Sequence, residues 1–130
     1  ESLYKGIAAA VDGARVGDIG HAVQSYAESF GFGVVRELEG HGIGTQMHES
    51  PGIPNYGRQG HGPKLRNGMT ICIEPMITAG SRNVYLDKNG WAVHTADHRN
   101  AAHYELTVVV RKGHAEQLST FDFIENNVKF

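Results

Sequence analysis

A chain of 130 residues, 40% of them hydrophobic, is long enough to bury one core and too short for two independent domains, so residues 1–130 are expected to form a single unit. The formal charge of -2 gives no basic field to draw a phosphate backbone and no run of like charges marks an interaction tail, which argues against nucleic acid as a partner. The lone cysteine, Cys72, cannot close an internal disulfide, and no stretch approaches the roughly 18 consecutive apolar residues of a membrane span, so a reducing, cytoplasmic setting away from membranes is expected.

The chain opens at Glu1 without a methionine and without the basic start and apolar run of a secretion signal, and is expected to be a piece of a longer protein. Leu3, Ile7, Ala10 and Val11 recur at helical spacing and predict a helix over Glu1 to Ala14, ended by Gly13. Asp18 is a good N-cap for a second helix, in which Ile19, Ala22, Val23, Tyr26, Ala27 and Phe30 form one apolar stripe and Gly31 supplies a left-handed stop. Val34 to Leu38 reads as a short strand before the glycine-rich Gly40-His41-Gly42-Ile43-Gly44. Ser50 to Gly62, with Pro51, Pro54 and four glycines, reads as a loop.

From Met69 the period changes to two, with Thr70, Cys72 and Glu74 on one face and Ile71 and Ile73 on the other, until Pro75 interrupts. Asn83 to Leu86 and Trp91 to Thr95 flank Asp87-Lys88-Asn89-Gly90, a hairpin signal. Ala102 to Arg111 reads as one long strand that places His103, Glu105, Thr107 and Val109 opposite Tyr104, Leu106, Val108 and Val110. A turn at Lys112-Gly113, a short segment His114 to Leu118 and a helical or frayed tail from Phe121 to Phe130 complete the chain. The expected class is α+β: two helices on a curved antiparallel sheet, and half of something larger.

Eight histidines and 17 glycines exceed the usual composition, and the chemistry gathers there and at two acids. Glu74 and Glu105 each stand in an apolar strand, where a carboxylate must be neutralised, paired or bound to a cation. A divalent metal between them would meet that need; pairing with Arg99 or Arg111, or exposure to water, are the alternatives. His41 lies between glycines, where the backbone turns sharply and an imidazole can reach a metal, or simply bond the loop. His48 is the next candidate. His48-Glu49 lacks the second histidine of a zincin, and the glycine segment fits neither dinucleotide nor phosphate spacing. Cys72 reads as a buried thiol rather than a nucleophile, and Trp91 as a core plug or a pocket wall. His61, His94, His98, His103 and His114 show no spacing that assigns a partner.

Together, Gly40-His41-Gly42-Ile43-Gly44, Met47-His48-Glu49, Ile73-Glu74-Pro75-Met76 and Tyr104-Glu105-Leu106-Thr107 resemble the methionine aminopeptidases of the pita-bread fold, over Glu1 to about Leu118. The resemblance implies half of that fold and an enzyme that removes the initiator methionine from nascent polypeptides. It implies His41, Glu74 and Glu105 as ligands of two divalent ions (Mn, Fe(II), Co or Zn), with Glu105 bridging and Glu74 shuttling a proton. His48 would contact substrate, and Met47 and Trp91 would line the methionine pocket. The short distance from His48 to Glu74 leaves no room for the insertion of type II enzymes, which favours type I. Two aspartates and a further catalytic histidine would lie upstream of Glu1, so these 130 residues alone would turn over little. Cytoplasmic location, a monomeric parent and ribosome association are further expectations. A Xaa-Pro dipeptidase and a non-catalytic binding member of the same fold are the rival readings.

Overall fold

The computed structural model describes residues 1–128, with residue 125 in its backbone only. Helix α1 spans Ser2–Ala9, shorter than the sequence predicts, because Val11 leaves the helix to bridge Arg111 and Gly13 takes φ +92°. Helix α2 spans Val16–Ser29. Its cap is Arg15 rather than Asp18: the Asp18 carboxylate, one turn in, accepts the Arg15 backbone N–H at 2.7 Å and the Gly60 N–H at 2.7 Å. Asp18 thus satisfies one amide that the helix leaves unpaired and ties down the 54–62 loop as well. Gly31, at φ +79°, ends the helix as expected.

The strands follow as β1 Gly33–Val34, β2 Gly40–Gly42, β3 Glu49–Ile53, β4 Thr70–Ile73, β5 Met76–Thr78, β6 Val84–Leu86, β7 Val93–Thr95, β8 Ala101–His103, β9 Leu106–Val110 and β10 Ala115–Gln117, before a short helix α3, Asp122–Glu125. The expected strand Val34 to Leu38 shrinks to β1. Two strands arise where loop or turn was expected, namely β2 in the glycine segment and β3 at the start of the Ser50–Gly62 stretch. Pro51 is tolerated in β3 because that strand is at the sheet edge. The tail from Phe121 holds one helical turn; residues 129 and 130 lie outside the described residues.

Among the described residues, β10-β9-β4-β2-β3 form one antiparallel sheet, β1-β5-β8 a second, and β6-β7 a hairpin. The hairpin turn is longer than the Asn-Gly signal implies. Asp87 N–H reaches Ala92 O across it, while Asn89 Oδ1 accepts the N–H groups of Trp91 and Ala92.

Alternation decides which face of the large sheet meets the helices. Ile71 and Ile73 of β4, with Leu106, Val108 and Val110 of β9, pack on Leu3, Ile7, Val16 and Ile19 of the two helices. Ile19, Ile71 and Ile73 are 0% exposed, and full burial of each such side chain contributes roughly 1.5–3 kcal/mol. That face is therefore committed to the core. The opposite face, bearing Cys72 and Thr107, is left for chemistry.

The expected long strand Ala102 to Arg111 is broken. Its first part, β8, pairs with β5; its second, β9, pairs with β4. The partner breaks at the same level, between Ile73 and Met76, where Pro75 offers no N–H for a ladder. Glu74 and Glu105 occupy the two breaks. The Glu74 carbonyl left over at that corner accepts a bond from the buried Asn55 Nδ2 at 3.2 Å.

Candidate metal centre

The glycines around His41 are required by proximity. A Cβ at Gly42 would lie 2.5 Å from the Ser50 carbonyl oxygen, and one at Gly40 would strike that of Cys72. Without side chains there, β2 fits between β3 and β4 and sets His41 opposite Cys72. His41 Nδ1 is 2.9 Å from Gly42 O. A carbonyl only accepts, so Nδ1 is the donor in that bond and Nε2 is the nitrogen turned toward the centre, the orientation typical of a metal-ligating imidazole.

His41 Nε2 faces Glu74 Oε1 at 3.6 Å, and Glu74 Oε2 is 3.1 Å from His103 Nε2. Glu105 carries a carboxylate oxygen within 4.8 Å of both a His41 ring nitrogen and Cys72 Sγ. Burial raises the Glu74 pKa above the usual carboxylate value; the neighbouring Glu105 charge raises it further, while His103 and His41 oppose the rise. His41, Glu74 and Glu105 are thus brought together from β2 and from the two strand breaks. Glu105 itself is exposed, not buried within a continuous strand, because the chain changes sheets beside it.

Neither arginine proposed as a partner answers these acids. Arg111 pairs with Glu116 at 2.7 Å, and Arg99 lies with Asp97. Two carboxylates, one raising the pKa of the other, beside an imidazole nitrogen are a donor set that fits a divalent cation.

His48 comes from the loop between β2 and β3, its ring centroid 4.3 Å from that of His41. The loop is held by Glu49, whose carboxylate accepts the Gln46 N–H at 2.7 Å and the Thr45 hydroxyl at 3.1 Å. Those bonds, the backbone one first, hold its pKa below the usual value. A cavity of ≈ 1140 Å³ opens beside the centre, lined by His41, His48, Glu74, His103, Met76 and Trp91 among others. Trp91, 88% exposed, stands on its wall and is not a core plug, since the hairpin turn carries it away from the core. Met47 is 72% exposed and is not among the residues that line the cavity.

The sequence gives no partner to His103 and no loop-holding role to Glu49. The signal for His103 was its place on the Glu105 face of an alternating strand. For Glu49 there was none, since its bonds run to a loop of unpredictable path.

A sheet with helices on one face and a histidine–carboxylate cluster beside a cavity on the other is the architecture of a metalloprotein half-site. The chain belongs to metallopeptidase family M24, whose profile matches residues 1–112. It is 54% identical over 110 residues to a methionine aminopeptidase of Clostridium acetobutylicum, covering 85% of this chain and 44% of that protein. The crystal structure of a methionine aminopeptidase from Rickettsia prowazekii superimposes with a TM-score of 0.87 at 46% identity, covering 89% of this chain and 47% of that one. An X-Pro aminopeptidase from Thermotoga maritima, at 20% identity and a TM-score of 0.65, shares the fold alone. The architecture is thus half of a pita-bread fold, and the chain spans somewhat less than half the length of the methionine aminopeptidases it matches.

Proposed function

We propose that this chain supplies the carboxyl-terminal wall of a type I methionine aminopeptidase site, which removes the initiator methionine from nascent polypeptides in the cytoplasm. The observation that carries the reading is the convergence of His41, Glu74 and Glu105 beside a cavity walled by Trp91. These three residues would hold divalent cations, two in the whole protein, from among Mn, Fe(II), Co and Zn. Such ions supply Lewis acidity toward a peptide carbonyl and make water nucleophilic at neutral pH.

The chain's own residues divide the remaining work. Glu74, its affinity for protons raised by burial and by Glu105, accepts a proton and returns it to the leaving amine. His48, set against the His41 ring, donates a hydrogen bond to the substrate, and Trp91 offers an apolar face to the methionine side chain. Met47 would join that pocket only if the loop bearing it turned inward. The remaining ligands, two aspartates, would come from elsewhere in the protein, whose monomeric state and ribosome association belong to the same proposal.

The test is cleavage by the whole protein of Met-Ala-Ser against Ala-Pro. Release of methionine is expected. Preferential cleavage of Ala-Pro would assign the Xaa-Pro dipeptidases instead, and metal binding without either cleavage a binding module. The isolated 130 residues are expected to bind metal weakly and hydrolyse little, since one metal position would be short of ligands.

A further inference from the structure

We propose that Glu39 is a specificity-determining residue of this cavity, a carboxylate on its wall that selects peptides carrying a basic side chain soon after the methionine. The inference rests on the peptidase reading of the centre. It names the substrate class within that reading.

Local geometry sets the carboxylate there. Glu39 leads directly into β2, two residues before His41, and lines the cavity with it. Across the ladder of β2 and β3, His41 pairs with Gly52. Because Gly52 has no side chain, the Glu39 carboxylate occupies the room left on that strand, and a Cβ added to Gly52 would strike its Oε1. The acid therefore rests against β3, on the side of the sheet that carries the centre.

Charge on the wall is one-sided. The carboxylates of Glu39, Glu49 and Glu74 line the cavity, and among the described residues no lysine or arginine does. Two of these acids are engaged: Glu49 accepts the Gln46 N–H and the Thr45 hydroxyl, and Glu74 lies between His103 and His41. The Glu39 carboxylate has no ion pair or hydrogen bond among the described residues. Unanswered negative charge on a cavity wall attracts a cationic ligand and repels an anionic one. With the methionine side chain against Trp91 and the bond to be cut at the centre, the charge left for Glu39 to meet is that of a residue beyond that bond. A lysine ammonium or an arginine guanidinium supplies it.

Cleavage of Met-Ala-Lys and Met-Ala-Glu by the whole protein tests this. An exposed ion pair changes affinity by up to about fivefold, and exchanging attraction for repulsion compounds the two, so kcat/KM for the lysine peptide is expected to be about five- to twentyfold the higher. The difference should lie in KM, as for a contact made equally in the bound peptide and in the transition state, and should shrink in high salt. Glu39→Gln should abolish the preference and Glu39→Lys should reverse it, while the cobalt affinity of Glu39→Gln stays that of the native protein. Equal kcat/KM for the two peptides, or a preference that survives Glu39→Gln, overturns the role of Glu39 and leaves the peptidase reading standing. A fall in cobalt affinity in Glu39→Gln does the same, since the carboxylate would then serve the metal rather than the peptide. Failure to release methionine from either peptide or from Met-Ala-Ser overturns both.

Discussion

Gly42→Ala probes the link between backbone packing and the centre. The new Cβ would sit 2.5 Å from Ser50 O, whereas ordinary contact begins at 3.4 Å, so β2 and β3 must separate by about 0.9 Å. The obstacle is backbone on an adjacent strand and cannot rotate aside. Overpacking of this kind costs about 1–3 kcal/mol. In a protein of the length of the relatives this chain matches, each kcal/mol lowers Tm by roughly 2–4 °C, giving a fall of about 2–12 °C. Gly42 O is also the acceptor that orients His41 through Nδ1 at 2.9 Å. Moving it misdirects Nε2, and disturbances of such outer partners lower metal affinity by roughly 10–100-fold. Calorimetry of the metal-free protein followed by cobalt titration reads both effects. A variant with unchanged Tm and unchanged cobalt affinity would refute the claim that close approach, not loop flexibility, explains this glycine.

Glu105→Gln should separate metal binding from stability: the substitution removes a proposed ligand yet relieves the repulsion on Glu74, so cobalt affinity is expected to fall while the metal-free Tm does not. A parallel loss of both would instead make Glu105 a structural residue. Trp91→Ala should leave Tm almost unchanged, within about 0.5 kcal/mol for so exposed a side chain, while raising KM for methionyl peptides; an unaltered KM removes Trp91 from the pocket. Asp97 accepts the backbone N–H groups of Ser81 and Arg99 at 2.7 and 3.2 Å, and the first of these leads in holding its pKa below the ordinary value. Because the folded value is the lower one, its contribution is present above the unfolded pKa and lost as pH falls through the folded pKa. NMR titration should place the Asp97 midpoint below that of an unstructured aspartate, and a normal midpoint would show that those bonds do not form in solution.

What the sequence made legible follows from which physical rules are local. The Ile19, Val23 and Ala27 stripe of α2, the left-handed stop at Gly31 and the alternation of β4 and β9 depend on neighbours two to four residues away and are borne out by the structure, whereas Phe30, expected on the same stripe, follows the helix and is exposed. Strands β2 and β3 were hidden because glycine and proline mark loops in most settings. Here the glycines answer to the Cys72 and Ser50 carbonyls, which a reader of the sequence cannot know are adjacent. The break beside Glu105 was equally hidden, since the apolar run continues through it and only the partner strand, interrupted at Pro75, reveals the change of sheet.

The centre was more legible than the fold around it. A carboxylate in an apolar run violates the pattern that builds the core, and such violations gather where chemistry overrides packing. Glu74 and Glu105 announced themselves this way, whereas His103 did not, because a histidine in a strand violates nothing. Yet the same alternation that set Ile71 and Ile73 against the helices already placed Cys72 with Glu74, and His103 with Glu105. Period-two geometry therefore does more than assign a core: once one functional residue on a strand is known, its neighbours two positions away become the next residues to test. His103, 3.1 Å from Glu74 Oε2, is reached by that step.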